Sequence, residues 1–363
     1  MLLLNCLRNA LSPCENMLMD PVTISKKKPP FPVSSRFHLY LDGYSRELDF
    51  ALHYEDLWGW SDAIALEDKH GNNTLWDTLI HPPAVREELD ENLKILYCQL
   101  KMAGDLGAVR HLAIDRIDFC HFANSHPFRI RVVNSYNDNQ DYFYVKKADA
   151  SRIYGLELEH LLSPNNIHFL VKGDTLVEEH IAGIPGDDFL GTYFQRPGIN
   201  KVRICKEFVK FNERCFIRLL GDMRAYNYVM DVTLDFDEEQ YRVRAIDFDQ
   251  QSYEGDIRVY LPQFHKENKP IVDLVWELLT IDTIRQYQVE ERALMARRAR
   301  TSWTRIDDLL VCMGHDVLAP EDKVHALSLG LAHYHKNDDF RSCRGMGELL
   351  RKNLEVSLGL EES

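Results

Sequence analysis

Two short stretches carry the residues best suited to chemistry. Asp222-Met223-Arg224-Ala225-Tyr226-Asn227 places an aspartate and an asparagine five positions apart, and Ile246-Asp247-Phe248-Asp249 follows nineteen residues later. Phosphoryl transfer from ATP needs a carboxylate to take the acceptor's proton and then two oxygen ligands for magnesium. Asp222, Asn227 and Asp247 supply those types in that order, with Asp249 as a further carboxylate beside the metal. An isolated Asp-x-x-x-x-Asn arises by chance about once in a chain of this length. The Ile-Asp-Phe-Asp that follows a β-rich hairpin makes the combination specific.

Three upstream elements complete the order. Phe143-Tyr144-Val145-Lys146 reads as a strand ending in lysine, suited to holding the α- and β-phosphates, with Lys147 as the neighbouring alternative. A helix follows, bearing Glu157 and Glu159, either of which can orient that lysine. Glu179-His180-Ile181-Ala182-Gly183 ends a later strand, where backbone groups at Glu179 and Ile181 can read an adenine edge.

Each residue also has a structural role open to it. Asp222 suits a helix or turn cap, and Asn227 suits a turn whose backbone its side chain satisfies. Asp247 points away from Ile246 and Phe248 on a strand, where a carboxylate needs water, a partner or a metal. Successive strand residues face opposite ways, so at most one of Lys146 and Lys147 faces a site.

These residues and their order resemble the protein-kinase-like superfamily, and within it the aminoglycoside phosphotransferase and choline kinase branch. Gly221-Asp222 with Asn227 is similar to that branch's His-Gly-Asp-x-x-x-x-Asn loop. Ile246-Asp247-Phe248-Asp249 is similar to its Ile-Asp-Phe/Trp-Asp/Glu motif, and Glu179 to Gly183 to its hinge. The resemblance covers roughly residues 108–290. It implies Asp222 as catalytic base, Asn227 and Asp247 as magnesium ligands, Lys146 on the phosphates and Glu157 as its helix partner, with Lys147 and Glu159 as adjacent alternatives. Two departures stand out: Leu220 replaces the family's histidine, and no Gly-x-Gly-x-x-Gly precedes Lys146, the corresponding turn being Ala123 to Pro127.

The elements that must position these residues divide the chain. Residues 1–35, with Lys26-Lys27-Lys28-Pro29-Pro30-Phe31-Pro32, read as a flexible segment. Residues 36–107 read as an accessory or cap segment, with a strand at Phe37–Leu41, a helix from Val85 to Met102, and Trp58, Trp60 and Trp76 close together. Residues 108–184 are strand-rich around one helix, Ser151–Leu162, and 185–363 are helical apart from a hairpin with an acidic tip at Asp235–Glu239. The expectation is a bilobal α+β fold, an antiparallel β-rich N-lobe before a helical C-lobe.

Bulk properties narrow the classes. Among 363 residues the net charge is −14, which argues against a general nucleic-acid binder. Eight scattered cysteines without a Cys-x-x-Cys pair point to a reduced, cytoplasmic protein without structural zinc. No apolar run reaches the ~20 residues of a membrane span, and the first residues lack the pattern of a signal peptide. Two functions compete: a phosphotransferase using ATP and Mg2+ on a hydroxyl of a small molecule or protein, and an inactive pseudokinase serving as a nucleotide-sensing or protein-binding scaffold. The acceptor and the oligomeric state are open at this level.

Overall fold

The computed structural model describes residues 24, 28–102, 104–236 and 238–360. Its described residues divide into two compact units, one formed by 28–156 with 166–180, the other by 157–165 with 181–360. Most of the expected flexible segment, with Cys6, Cys14 and part of the lysine run, lies outside the described residues, as does Asp237 of the acidic hairpin tip. The described part of that segment is tied down. Lys28 forms an ion pair with Asp149 at 2.7 Å, the Phe31 N–H donates to the Asp149 carboxylate, and the Phe31 carbonyl accepts from the Ala150 N–H.

The first unit opens with helix α1 (Ser35–Gly43). Phe37–Leu41, expected as a strand, is helical because Ser34 accepts from the Phe37 N–H as an N-cap. Phe37, Tyr40 and Leu41, at helical spacing, are its buried face. A hairpin, β1 (Asp62–Glu67) and β2 (Asn73–Ile80), is followed by α2 (Pro83–Lys101). Then come β3 (Leu112–Phe119), β4 (Phe128–Asn134), β5 (Asn139–Lys147), helix α3 (Ala150–Leu162), β6 (Phe169–Lys172) and β7 (Thr175–Glu179). The seven strands form one antiparallel sheet in the order β1-β2-β3-β4-β5-β7-β6. Residues 36–107 therefore contribute two strands to the same sheet. Alternation along β3, β4 and β5 sends Ile117, Ile130 and Phe143 to one face, where Leu89, Leu93 and Leu96 of α2 complete the core.

The second unit holds a smaller sheet in the order β10-β9-β8, built from β8 (Ile184–Pro185), β9 (Tyr228–Asp235) and β10 (Glu238–Ala245). Around it lie α4 (Gly186–Gly191), α5 (Lys201–Arg218), α6 (Lys269–Leu278), α7 (Ile281–Thr301), α8 (Trp303–His315), α9 (Glu321–His335) and α10 (Met346–Leu358). A β-rich first unit and a helical second unit bear out the α+β class expected from sequence. From residue 28 onward the chain passes between units at three places: within α3 at Leu156/Glu157, at Asn165/Asn166 and at His180/Ile181.

Helix α3 is buried nearly all round and yet carries Arg152, Glu157 and Glu159. Charges in such a place must be paired, and each of these is. Arg298, from the basic run Arg297–Arg300, donates to the carbonyls of His160 and Leu161 at the end of α3, so one member of that run is a helix cap.

Candidate functional site

The helical unit brings the two sequence stretches together. Helix α5 ends at Arg218, and Leu219 turns the chain out in the left-handed region with φ of 52°. Leu220 pairs with Gln251, the Gly221 N–H donates to the Gln250 carbonyl, and the Ser252 N–H donates to the Leu219 carbonyl. The loop after α5 is thereby laced to the loop after β10. Leu220 is fully buried, so the position where the resembled family carries histidine is used here for packing.

Asp222 also has a positive φ, 58°, a conformation that aspartate tolerates better than most residues. Its N–H is held by the Val259 carbonyl. The Asn227 side-chain amide donates to the Asp222 carbonyl at 2.7 Å. That bond occupies the Asn227 nitrogen and leaves its side-chain oxygen as the atom for a ligand. The Asn227 carbonyl accepts from the Ile246 N–H at 3.0 Å, which sets Asp247 one residue beyond Asn227's direct neighbour. Asp247 in turn accepts from the Asp249 N–H at 3.0 Å. Asn268, fully buried, braces the loop from beneath by donating to the Met223 and Pro262 carbonyls and accepting from the Tyr228 hydroxyl.

The donors offered here are oxygens, which suits a hard divalent cation. Among the described residues no three His, Cys, Asp or Glu side chains gather around a point that could hold a metal. Magnesium does not demand such a cage, since it is commonly held by one or two protein oxygens together with phosphates and water.

Asp222 is electrostatically distinct. Burial pushes its carboxyl up to about 7, with Asp247, Glu267 and Glu254 adding repulsion and Arg224 opposing them. Arg224 lies with its Nε 2.8 Å from one carboxyl oxygen of Asp222, off the line of a hydrogen bond, and donates from its other arm to the Tyr226 hydroxyl. Arg224 was not among the sequence-derived candidates. Its place two residues after Asp222 was the signal available.

In the β-rich unit, Lys146 is buried and donates to Glu178 at 2.9 Å. Arg152 of α3 grips both oxygens of the same carboxylate. Burial would raise Glu178, but Arg152 and Lys146 outweigh it and hold the carboxyl at about 2. The carboxylate beside the strand lysine is thus one that sequence reasoning did not single out. Lys147 faces the other way, its side chain 58% exposed near Glu55 and Asp174. Glu179 is engaged locally: its carboxylate accepts from Lys101 and from the His168 N–H.

The two helix glutamates have arginine partners. In the helical unit, Glu157 accepts from Arg305 at 2.6 Å and Glu159 from Arg218. Ile181 is buried as the first residue after the crossing between units. Trp58 packs edge-on against Phe119 and Phe128, and Arg129 lies over Trp76, so two of the clustered tryptophans pack within the unit. Cys120, Cys205 and Cys215 are buried, and burial pushes the last two thiols up to about 12, which keeps them unreactive.

No family model matches the chain, and no curated protein does. Among solved structures, that of the Neurospora crassa PAN3 pseudokinase aligns over 77% of this chain and 70% of that one, at 10% identity and a TM-score of 0.20. A likeness that slight carries no argument about activity. Among the described residues, no helix is long and apolar enough to cross a membrane.

Proposed function

We propose that the chain is an ATP- and magnesium-dependent phosphotransferase acting on a hydroxyl, of the kind its motifs resemble in the aminoglycoside phosphotransferase and choline kinase branch. The observation that carries this reading is Asp222: a half-buried carboxyl on a strained loop, raised to about 7, and bonded through its carbonyl to the Asn227 amide. A general base works best when its pKa lies near the working pH, and a half-buried carboxylate whose cationic neighbour lies off the line of a hydrogen bond is costly to keep.

In this reading an acceptor hydroxyl gives its proton to an Asp222 oxygen as its own oxygen bonds to phosphorus. Bound ATP supplies the phosphoryl group and magnesium offsets its charge, with ADP leaving. The Asn227 side-chain oxygen and the Asp247 carboxylate would hold the cation, with Asp249 as a further carboxylate. Lys146 is the phosphate-contacting lysine in preference to the exposed Lys147, and Glu178 with Arg152 fixes where its ammonium sits. Glu179 and Ile181 keep their roles at the adenine edge through backbone groups. The scattered free thiols fit a cytoplasmic setting.

A second reading, a scaffold that binds nucleotide without turnover, draws on Arg224 beside Asp222 and on Leu220 at the histidine position. Turnover separates the two. Incubation with Mg·ATP and a panel of small hydroxylated acceptors, cationic ones included, yields phosphorylated product from the wild type and none from Asp222→Asn if the first reading holds. ATP binding without product for any acceptor favours the scaffold.

A further inference from the structure

Glu159 was a candidate partner for the strand lysine, and the structure gives it a different neighbour. Its carboxylate meets Arg218, the last residue of α5, whose side chain is 1% exposed. Burial would raise the Glu159 carboxyl, but Arg218 overrides this and holds it below its ordinary value, so both groups are charged. A buried ion pair of this kind is a poor source of stability, because desolvation offsets most of the attraction. What it supplies is direction: two charges in an apolar surround have few satisfactory arrangements, whereas two apolar side chains can slide.

The direction matters because of what leaves Arg218. The Arg218 Nε donates to the Arg214 carbonyl at 3.0 Å, and the Arg218 carbonyl accepts from the Gln251 side chain at 2.6 Å. Arg214, one turn earlier, pairs with Glu291 and donates to the Val243 carbonyl of β10. Asn353 of α10 takes up the Phe216 and Ile217 carbonyls. The end of α5 is therefore fixed by side chains, and four residues beyond Arg218 stands Asp222. The backbone bonds from Leu219 to Ser252 and from Gly221 to Gln250 then carry that position to the loop bearing Asp247.

We infer that Glu159 and Arg218 form a positioning pair that aims the Asp222 loop, with Gln251 transmitting the same registration to the Asp247 loop. Arg218 touches neither substrate nor metal and acts through the backbone it anchors. The inference rests on the reading of Asp222 as the base, so its test has one arm that does not depend on activity.

The experiment compares the full-length wild type, Arg218→Met and Arg218→Lys by amide hydrogen exchange and by Mg·ATP turnover. In Arg218→Met the amides of Leu220, Gly221, Asp222 and Ser252 exchange about tenfold faster or more, while those in the body of α5 and in α10 keep their protection. In the turnover arm, kcat falls about tenfold or more with little change in KM for ATP, because misaiming a group costs rate before binding, and Arg218→Lys recovers part of it. Uniform loss of protection, or protection unchanged at the loop, overturns the inference. If the wild type transfers no phosphate, the phosphotransferase reading fails and the exchange pattern alone decides the positioning role. If Arg218→Met does not fold, Gln251→Met, which removes the side-chain bond to the Arg218 carbonyl together with the one to the Ser252 hydroxyl, must loosen Gly221, Asp222 and Ser252 selectively; failure to do so counts against the inference equally.

Discussion

Asp222 concentrates the cost and the use of the site. Its carboxyl titrates at about 7 in the folded chain against an ordinary 3.8. The folded protein thus holds the proton more tightly than the unfolded one, and stability falls as pH rises from about 4 to 7, then levels. Replacing Asp222 by Asn removes that penalty. The melting temperature of Asp222→Asn should match the wild type near pH 4 and exceed it increasingly up to pH 7, by a free-energy margin of up to about 4 kcal/mol, in magnesium-free buffer. A gap independent of pH would mean that the carboxyl is not buried as described. Glu178 works with the opposite sign. Its carboxyl lies at about 2, so the stability from its pairing is complete above about 4.5 and is lost as pH falls toward 2. Glu178→Gln should cost about 3–5 kcal/mol at pH 7, measured by denaturant unfolding, with the cost shrinking as the solution is acidified through that range.

At the scale of elements, the short helix α4 sits hard against the Asp222 loop. A Cβ added at Gly186 would lie 2.3 Å from the Ala225 carbonyl and 2.4 Å from the Tyr228 ring. Gly186→Ala should therefore destabilise by about 1–3 kcal/mol and weaken phosphoryl transfer, whereas Gly191→Ala, with open space around it, should do neither. Equal melting temperatures for the two variants would refute this packing. The elements themselves were legible to different degrees. The strands around 112–147 and the helix ending at Leu162 follow from alternation and from turn residues such as Asn137-Asp138-Asn139. The hairpin of β1 and β2 does not, because its residues are mostly exposed and lack a clean alternation. Phe37–Leu41 suits either period, and the Ser34 cap settles it as helix. The partner of Lys146 could not be read at all. Glu178 is 32 residues away, and only the pairing of Lys146 with Leu176 brings it alongside. Arg218 likewise looks like an ordinary basic residue at a helix end until burial shows that it is enclosed.

For the whole molecule, sequence order and spatial division agree on a β-rich unit followed by a helical one, with the passage at His180/Ile181 falling inside the stretch read as a hinge. Of the candidate residues, Lys146 and Glu179 lie in the first unit and Asp222, Asn227 and Asp247 in the second. A ligand bound only by the folded state at a hundred times its dissociation constant adds about 2.7 kcal/mol, which raises the melting temperature by roughly 2–4 °C per kcal/mol in a protein of a few hundred residues. The deciding measurement is the thermal stability of wild type and Asp247→Ala with millimolar ATP, with and without magnesium. If these loops form a magnesium-nucleotide site, the melting temperature rises by several degrees, the rise requires both ATP and magnesium, and it is absent from Asp247→Ala. No rise in the wild type, or an equal rise in the variant, would contradict the assignment of these loops to a magnesium-nucleotide site.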